Sequence, residues 1–119
     1  MAWEFDSNKP IFIQVVERLQ NDIVTGVYKP GDKIPSVREL AMAAGVNPNT
    51  MQRALQELEH TGLIYTNRTS GKFVTDNVSD IQRANESAVD KTVKKFVEDM
   101  KALDVKGEEI LELVKGAIK

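Results

Sequence analysis

The sequence predicts a mainly α-helical chain with one small β-hairpin: three short helices, the hairpin, then two more helices. Three observations predict it. Apolar residues recur at three- and four-residue steps in successive stretches. A tight Gly45-Val46 link separates a short, capped helix from the next helix. A β-rich pair of segments, broken at Arg68-Thr69-Ser70-Gly71, follows directly.

The elements follow in order. Trp3-Glu4-Phe5-Asp6 alternates apolar and acidic residues, which suits a small strand or an arm that packs its two rings. Pro10 fits the first turn of a helix, where its missing N–H costs nothing. Ile11, Val15, Val16, Leu19, Ile23 and Val24 then define one apolar stripe, and Gly26 is a stop, so helix one spans about 10–25. Lys29-Pro30-Gly31-Asp32 reads as a turn. Ser36 and Glu39 are spaced as a capping box, with Val37, Leu40 and Ala41 facing inward and Gly45 closing a short helix two. Asn47 caps helix three and Pro48 is its first residue. Met51, Ala54, Leu55 and Leu58 share one face, Asn49, Gln52, Arg53 and Gln56 the other, and the helix runs to about Glu59. Leu63–Asn67 and Lys72–Thr75 form the hairpin. Ser79 and Gln82 make a second capping-box spacing before a long helix at about 79–103. Lys106-Gly107 interrupts it, and a last helix reaches the C-terminus.

Helix, helix, helix, hairpin is a winged helix-turn-helix. Residues 9–77 make that domain, with the helix-turn-helix at about 36–59 and the wing at 63–75. Residues 78–119 make a helical region. Val89, Val93, Phe96, Met100 and Leu103, with Ile110, Val114 and Ile118, form an apolar stripe on helices with no other large partner in a 119-residue chain. The 3, 4, 3 steps from Val93 to Leu103 resemble a short coiled-coil seam, so this tail is expected to make a homodimer.

Composition narrows the function. Apolar residues make up 41% and charged residues 29%, as in a soluble globular protein. There is no cysteine, which excludes disulfides and thiolate metal sites and suits a reducing compartment. The N-terminus lacks the pattern of a secretory signal and no apolar run is long enough to span a bilayer, so a cytoplasmic protein without a membrane partner is expected. Residues 1–75 are net neutral and residues 76–119 carry a net −2, so any basic surface comes from where charges sit. His60, the only histidine, complements the dipole at a helix C-terminus and lacks partners for a metal. No phosphate-binding loop, dinucleotide fingerprint or nucleophile motif is present, so neither an enzyme nor a cofactor is expected.

The start of helix three is where chemistry concentrates. A helix N-terminus offers free N–H groups and a positive dipole end, which suit a phosphate. Asn and Gln pair bidentately with adenine, and Arg with guanine. The outward face of Asn49, Gln52, Arg53 and Gln56 holds no acid, so with a short helix before it and a hairpin after it, it reads as a DNA-reading face.

The residues also resemble a family. Gly26, Lys29–Lys33, Ile34-Pro35-Ser36, Arg38–Ala41, Gly45-Val46, Ala54-Leu55, Glu57-Leu58, Gly62–Ile64 and Gly71-x-Phe73-Val74 match, in order, the DNA-binding domain of the GntR family of bacterial transcription regulators. The Val46–Thr50 stretch, followed by Arg53, and the short tail resemble its YtrA subfamily. The resemblance implies that Arg38 grips a phosphate, with Ser36 also in the DNA-binding surface, that Asn47, Pro48, Asn49 and Thr50 begin the recognition helix, and that Gln52 and Arg53 lie on its outward face. It places Arg68, Thr69, Ser70, Gly71 and Lys72 in the wing, whose tip enters the minor groove, and Lys72, like Arg38, is expected to hold a phosphate. Arginines common in the family at the positions of Pro48 and Gln52 are absent, Thr69 replaces a glycine and Lys72 a threonine, which implies a different operator. A cytoplasmic, homodimeric regulator, most simply a repressor of a pseudo-palindromic operator on double-stranded DNA, is therefore expected. A winged-helix module that docks a protein instead is the alternative. The sequence specifies no small-molecule effector.

Overall fold

The computed structural model describes residues 2–119, as two compact units that divide after Asn85. In the first unit, α1 (Ile11–Val24), α2 (Val37–Ala44) and α3 (Pro48–His60) precede a two-stranded antiparallel sheet, β1 (Ile64–Asn67) and β2 (Gly71–Val74). The second unit continues α4 (Val78–Ala102) and adds α5 (Gly107–Ile118).

Each helix of the first unit starts and stops for a local reason. Pro10 lies just outside α1, as its cap, rather than inside it. The capping box of α2 forms: Glu39 N–H donates to Ser36 Oγ at 3.1 Å, and Ser36 N–H donates to Glu39 Oε1 at 3.2 Å. Asn47 caps α3, its Oδ1 accepting from Asn49 N–H at 2.8 Å. The second predicted capping box does not form. Asn77 takes that place, its Oδ1 accepting from Ser79 N–H and Asp80 N–H at 3.1 and 3.4 Å, so α4 begins one residue early. An Asn just ahead of a helix reaches the free N–H groups as well as a Ser does.

The core sits where α1 and α2 pack on α3. Val15, Leu19, Ile23, Leu40, Ala44, Met51, Leu55 and Leu58 are almost wholly buried, and Ile34, Leu63, Ile64 and Val74 carry the core under the hairpin. Ile81 and Ala84, in the first turns of α4, pack against the same core. This is why the first unit runs past residue 77 to Asn85. Each buried aliphatic side chain contributes roughly 1.5–3 kcal/mol.

The N-terminal residues form an arm, not a strand. Trp3 N–H donates to the Ala44 carbonyl at 3.2 Å, and the half-buried Trp3 and Phe5 rings lie against the core. The arm crosses the turn at Gly45, whose φ of +74° suits glycine. A Cβ there would lie 2.7 Å from the Ala2 Cβ. Gly45→Ala is therefore expected to cost roughly 1 kcal/mol for the left-handed backbone and to push the arm away. Emission of Trp3, the only tryptophan, should shift to the red and the thermal midpoint should fall. Unchanged emission would show that the arm does not depend on this contact.

In the second unit, Leu103–Lys106 separates the helices, and Asp104 has a φ of +63°. Ile110 is buried, whereas Val89, Val93, Leu103, Leu111, Leu113 and Ile118 are more than half exposed and Phe96 is 40% exposed. Met100 and Val114 are half-buried. The expected stripe is thus mostly open, but Ile110 is already enclosed by its own chain.

Candidate nucleic-acid interface

The helix-turn-helix presents the start of α3 to solvent. Asn47, Pro48 and Asn49 are exposed and Thr50 is half-buried. Asn47 engages its side-chain oxygen in the cap, and its amide NH₂ remains as a donor. Arg53 and Gln56 are exposed, Gln52 is half-buried, and Met51, Ala54, Leu55 and Leu58 hold the opposite face in the core. Ser36 and Arg38, at the start of α2, are exposed, and the Ser36 hydroxyl is engaged in its capping box.

Arg53 is not a loose side chain. Its guanidinium lies 3.8 Å from the centroid of the Phe12 ring on α1. An arginine stacked on a ring keeps its N–H edge free for a planar acceptor. Sequence reasoning passed over Phe12, although an aromatic just off the apolar stripe of α1 was a signal that it serves something other than the core.

The wing is fixed on several sides. Ile64 pairs with Val74, Tyr65 with Phe73, Thr66 with Lys72 and Asn67 with Gly71. The Tyr65 and Phe73 rings stack, 5.7 Å between centroids. The outer edge of β2 binds the turn before α2: Ile34 N–H donates to the Lys72 carbonyl at 2.9 Å, and Val74 N–H to the Asp32 carbonyl at 2.8 Å. At the tip, Asn67 Oδ1 accepts from Thr69 N–H at 3.1 Å and from Thr69 Oγ1 at 3.0 Å. The positive φ falls at Gly71, not at Thr69. This accounts for a threonine where the family often has glycine. Arg68, Thr69 and Ser70 are exposed at the tip. An open groove of about 660 Å³ lies between the tip and the start of α2, lined by Lys33–Val37, Glu39 and Thr66–Lys72.

Lys72, on β2, is engaged within its own chain. Its ammonium donates to Glu59 at the end of α3, and to Thr66 Oγ1 at 2.9 Å; the Thr66 hydroxyl in turn donates to Glu59. The side chains are only 17% and 30% exposed. The Lys72 hydrogen bond, with help from Thr66, holds the Glu59 carboxyl below its ordinary value of 4.5. The Ser36 backbone and hydroxyl do the same for Glu39. A carboxylate depressed by folding stabilises fully above its unfolded value, and the contribution fades as pH falls through the folded value. The thermal midpoint difference between the native chain and Glu59→Gln should therefore be constant from pH 7 to about 5 and close on further acidification. A constant gap down to pH 2 would show that the pair does not report on folding.

Among the described residues, no group of three metal-ligating side chains converges. No described helix is long and apolar enough to cross a membrane.

This arrangement of a capped reading helix beside a braced hairpin recurs in known proteins. The profile of the bacterial regulatory proteins of the gntR family matches residues 13–74. The chain belongs to the GntR family. Two Bacillus subtilis members match it along most of their length. The transcriptional regulator YhcF is 37% identical, over 94% of this chain and 93% of its own. The transcriptional repressor YtrA is 34% identical, over 92% and 85%. A GntR family transcriptional regulator from Listeria monocytogenes superimposes with a TM-score of 0.88 at 42% identity, covering 94% of this chain and 98% of its own. The DNA-binding domain of AraR, solved with operator ORX1, gives 0.55 at 30% identity, covering 63% of this chain and 92% of its own. The chain is thus a GntR-type helix-turn-helix transcriptional regulator, and its relatives are regulators rather than enzymes.

Proposed function

We propose that this GntR regulator is a repressor that binds a pseudo-palindromic operator as a homodimer, in the cytoplasm. The observation that carries the reading is the outward face of α3, where Asn49, Gln52, Arg53 and Gln56 meet solvent without an acid among them, next to the wing. Asn49 and Arg53 take base edges in the major groove. Arg38, with Asn47 and Thr50 at the start of α3, takes phosphates. The wing tip, Arg68–Ser70, takes the minor groove. The exposed stripe from Val89 to Leu103, with Ile118, joins two copies, so that two reading helices meet two half-sites. Repression rests on the likeness to YtrA, itself a repressor.

Selection from a pool of random duplexes tests this. The enriched sequences should form an inverted repeat, with half-site centres separated by about one helical turn or a multiple of it. A pool that stays unenriched at low salt would overturn the DNA reading and favour a winged-helix module that docks a protein.

A further inference from the structure

We propose that Lys72 is the positioning residue of the wing: its bond to Glu59 and Thr66 sets where the tip stands relative to the reading helix, and it makes no contact with DNA. This rests on the DNA reading above. The three groups form a closed ring across three elements, Glu59 at the end of α3, Thr66 on β1 and Lys72 on β2. Thr66 and Lys72 are direct cross-strand partners, so one face of the hairpin is tied to the last turn of the helix that reads DNA.

Two physical points separate this role from a phosphate contact. The Lys72 ammonium is already neutralised by a carboxylate, and a phosphate would have to displace Glu59. The pair is also largely shielded, which favours keeping both charges together over freeing one to reach outward. The backbone bonds to Asp32 and Ile34 fix the outer edge of β2. The ring at Glu59 fixes the hairpin to α3 and leaves the tip, Arg68–Ser70, one rigid approach to the groove. A threonine at position 72 would be too short to close this ring, so the device depends on the lysine.

The test uses the full chain and an operator obtained by selection from random duplexes. Native affinity is measured first, across a series of salt concentrations. If the native chain binds no selected duplex, it is the DNA reading that fails. If it binds, Lys72→Met is expected to weaken binding roughly fivefold while leaving the salt slope unchanged. In an Arg68→Ala background, which has already lost the tip contact, Lys72→Met should add little. Glu59→Gln, which keeps the side-chain shape, should also weaken binding. A phosphate contact predicts the opposite on each count. The slope would fall by about 0.9, the loss would add to that of Arg68→Ala, and Glu59→Gln would tighten binding by removing a negative charge near DNA. Any of these three results overturns the proposal. If Lys72→Met fails to fold, Glu59→Gln alone decides, because the two roles predict opposite signs for it.

Discussion

Phe96→Asp in the full chain is expected to give a monomer whose affinity for a two-half-site operator falls to nearly that for a single half-site. The loss should be roughly 10²–10⁴-fold, the avidity that a second linked reading helix supplies. Phe96 is 40% exposed in the single chain, on a helix where Val89 and Val93 are more than half exposed. In the proposed dimer a second copy would cover these residues, and an aspartate among them would be buried without a partner at a cost of several kcal/mol. Charged groups on the same helix pair locally, Lys94 with Asp90 at 2.9 Å and Lys95 with Asp99 at 3.1 Å. Sedimentation measures the mass and a gel-shift titration the affinity. A chain shortened to residues 1–85 should behave the same way, because the first unit holds its own core through Ile81 and Ala84. If either variant sediments as a dimer, or binds the full operator as tightly as the native chain, the tail has another purpose.

Arg53→Ala should cost roughly 1–3 kcal/mol of operator affinity and relax sequence preference at one position in each half-site. The stack on Phe12 sharpens this expectation. Phe12→Leu keeps α1 apolar but removes the ring face 3.8 Å from the guanidinium, so it should relax preference at the same position while the thermal midpoint changes little. Arg38→Ala, by contrast, should weaken all sequences alike and flatten the salt slope. If Arg53→Ala leaves the selected sequence unchanged, the bases are read by other residues of α3.

The helices were legible because their signals are local. The Ser36–Glu39 box and the Asn47–Pro48 start act within a few residues, and the apolar stripe of α3 follows from periodicity alone. The GntR family was legible for the same reason, since its matching residues lie densely in one stretch. Contacts between elements were not legible. Nothing in the spacing of Glu59, Thr66 and Lys72 shows that the end of a helix meets a cross-strand pair, because that depends on how the hairpin leaves α3. Phe12 under Arg53 joins residues about 40 positions apart in a chain order that gives no hint of it. Ile110 illustrates the converse: periodicity groups it with the stripe, yet it is buried within the single chain. Ser79 shows competition between neighbours. Asn77, two residues ahead of it, supplies the oxygen that accepts from the Ser79 and Asp80 N–H groups.

The ion pair between Lys72 and Glu59 has a consequence for how the regulator finds its target. Non-specific attachment to DNA is carried by free cations, each of which releases condensed counterions. A unit with no excess of positive charge that also occupies one of its few lysines internally has little to hold it on arbitrary sequence. Such a protein spends less time on the bulk of the chromosome, which offers about 10⁶ or more competing sites. On the proposed operator its occupancy then depends on base contacts rather than on general stickiness.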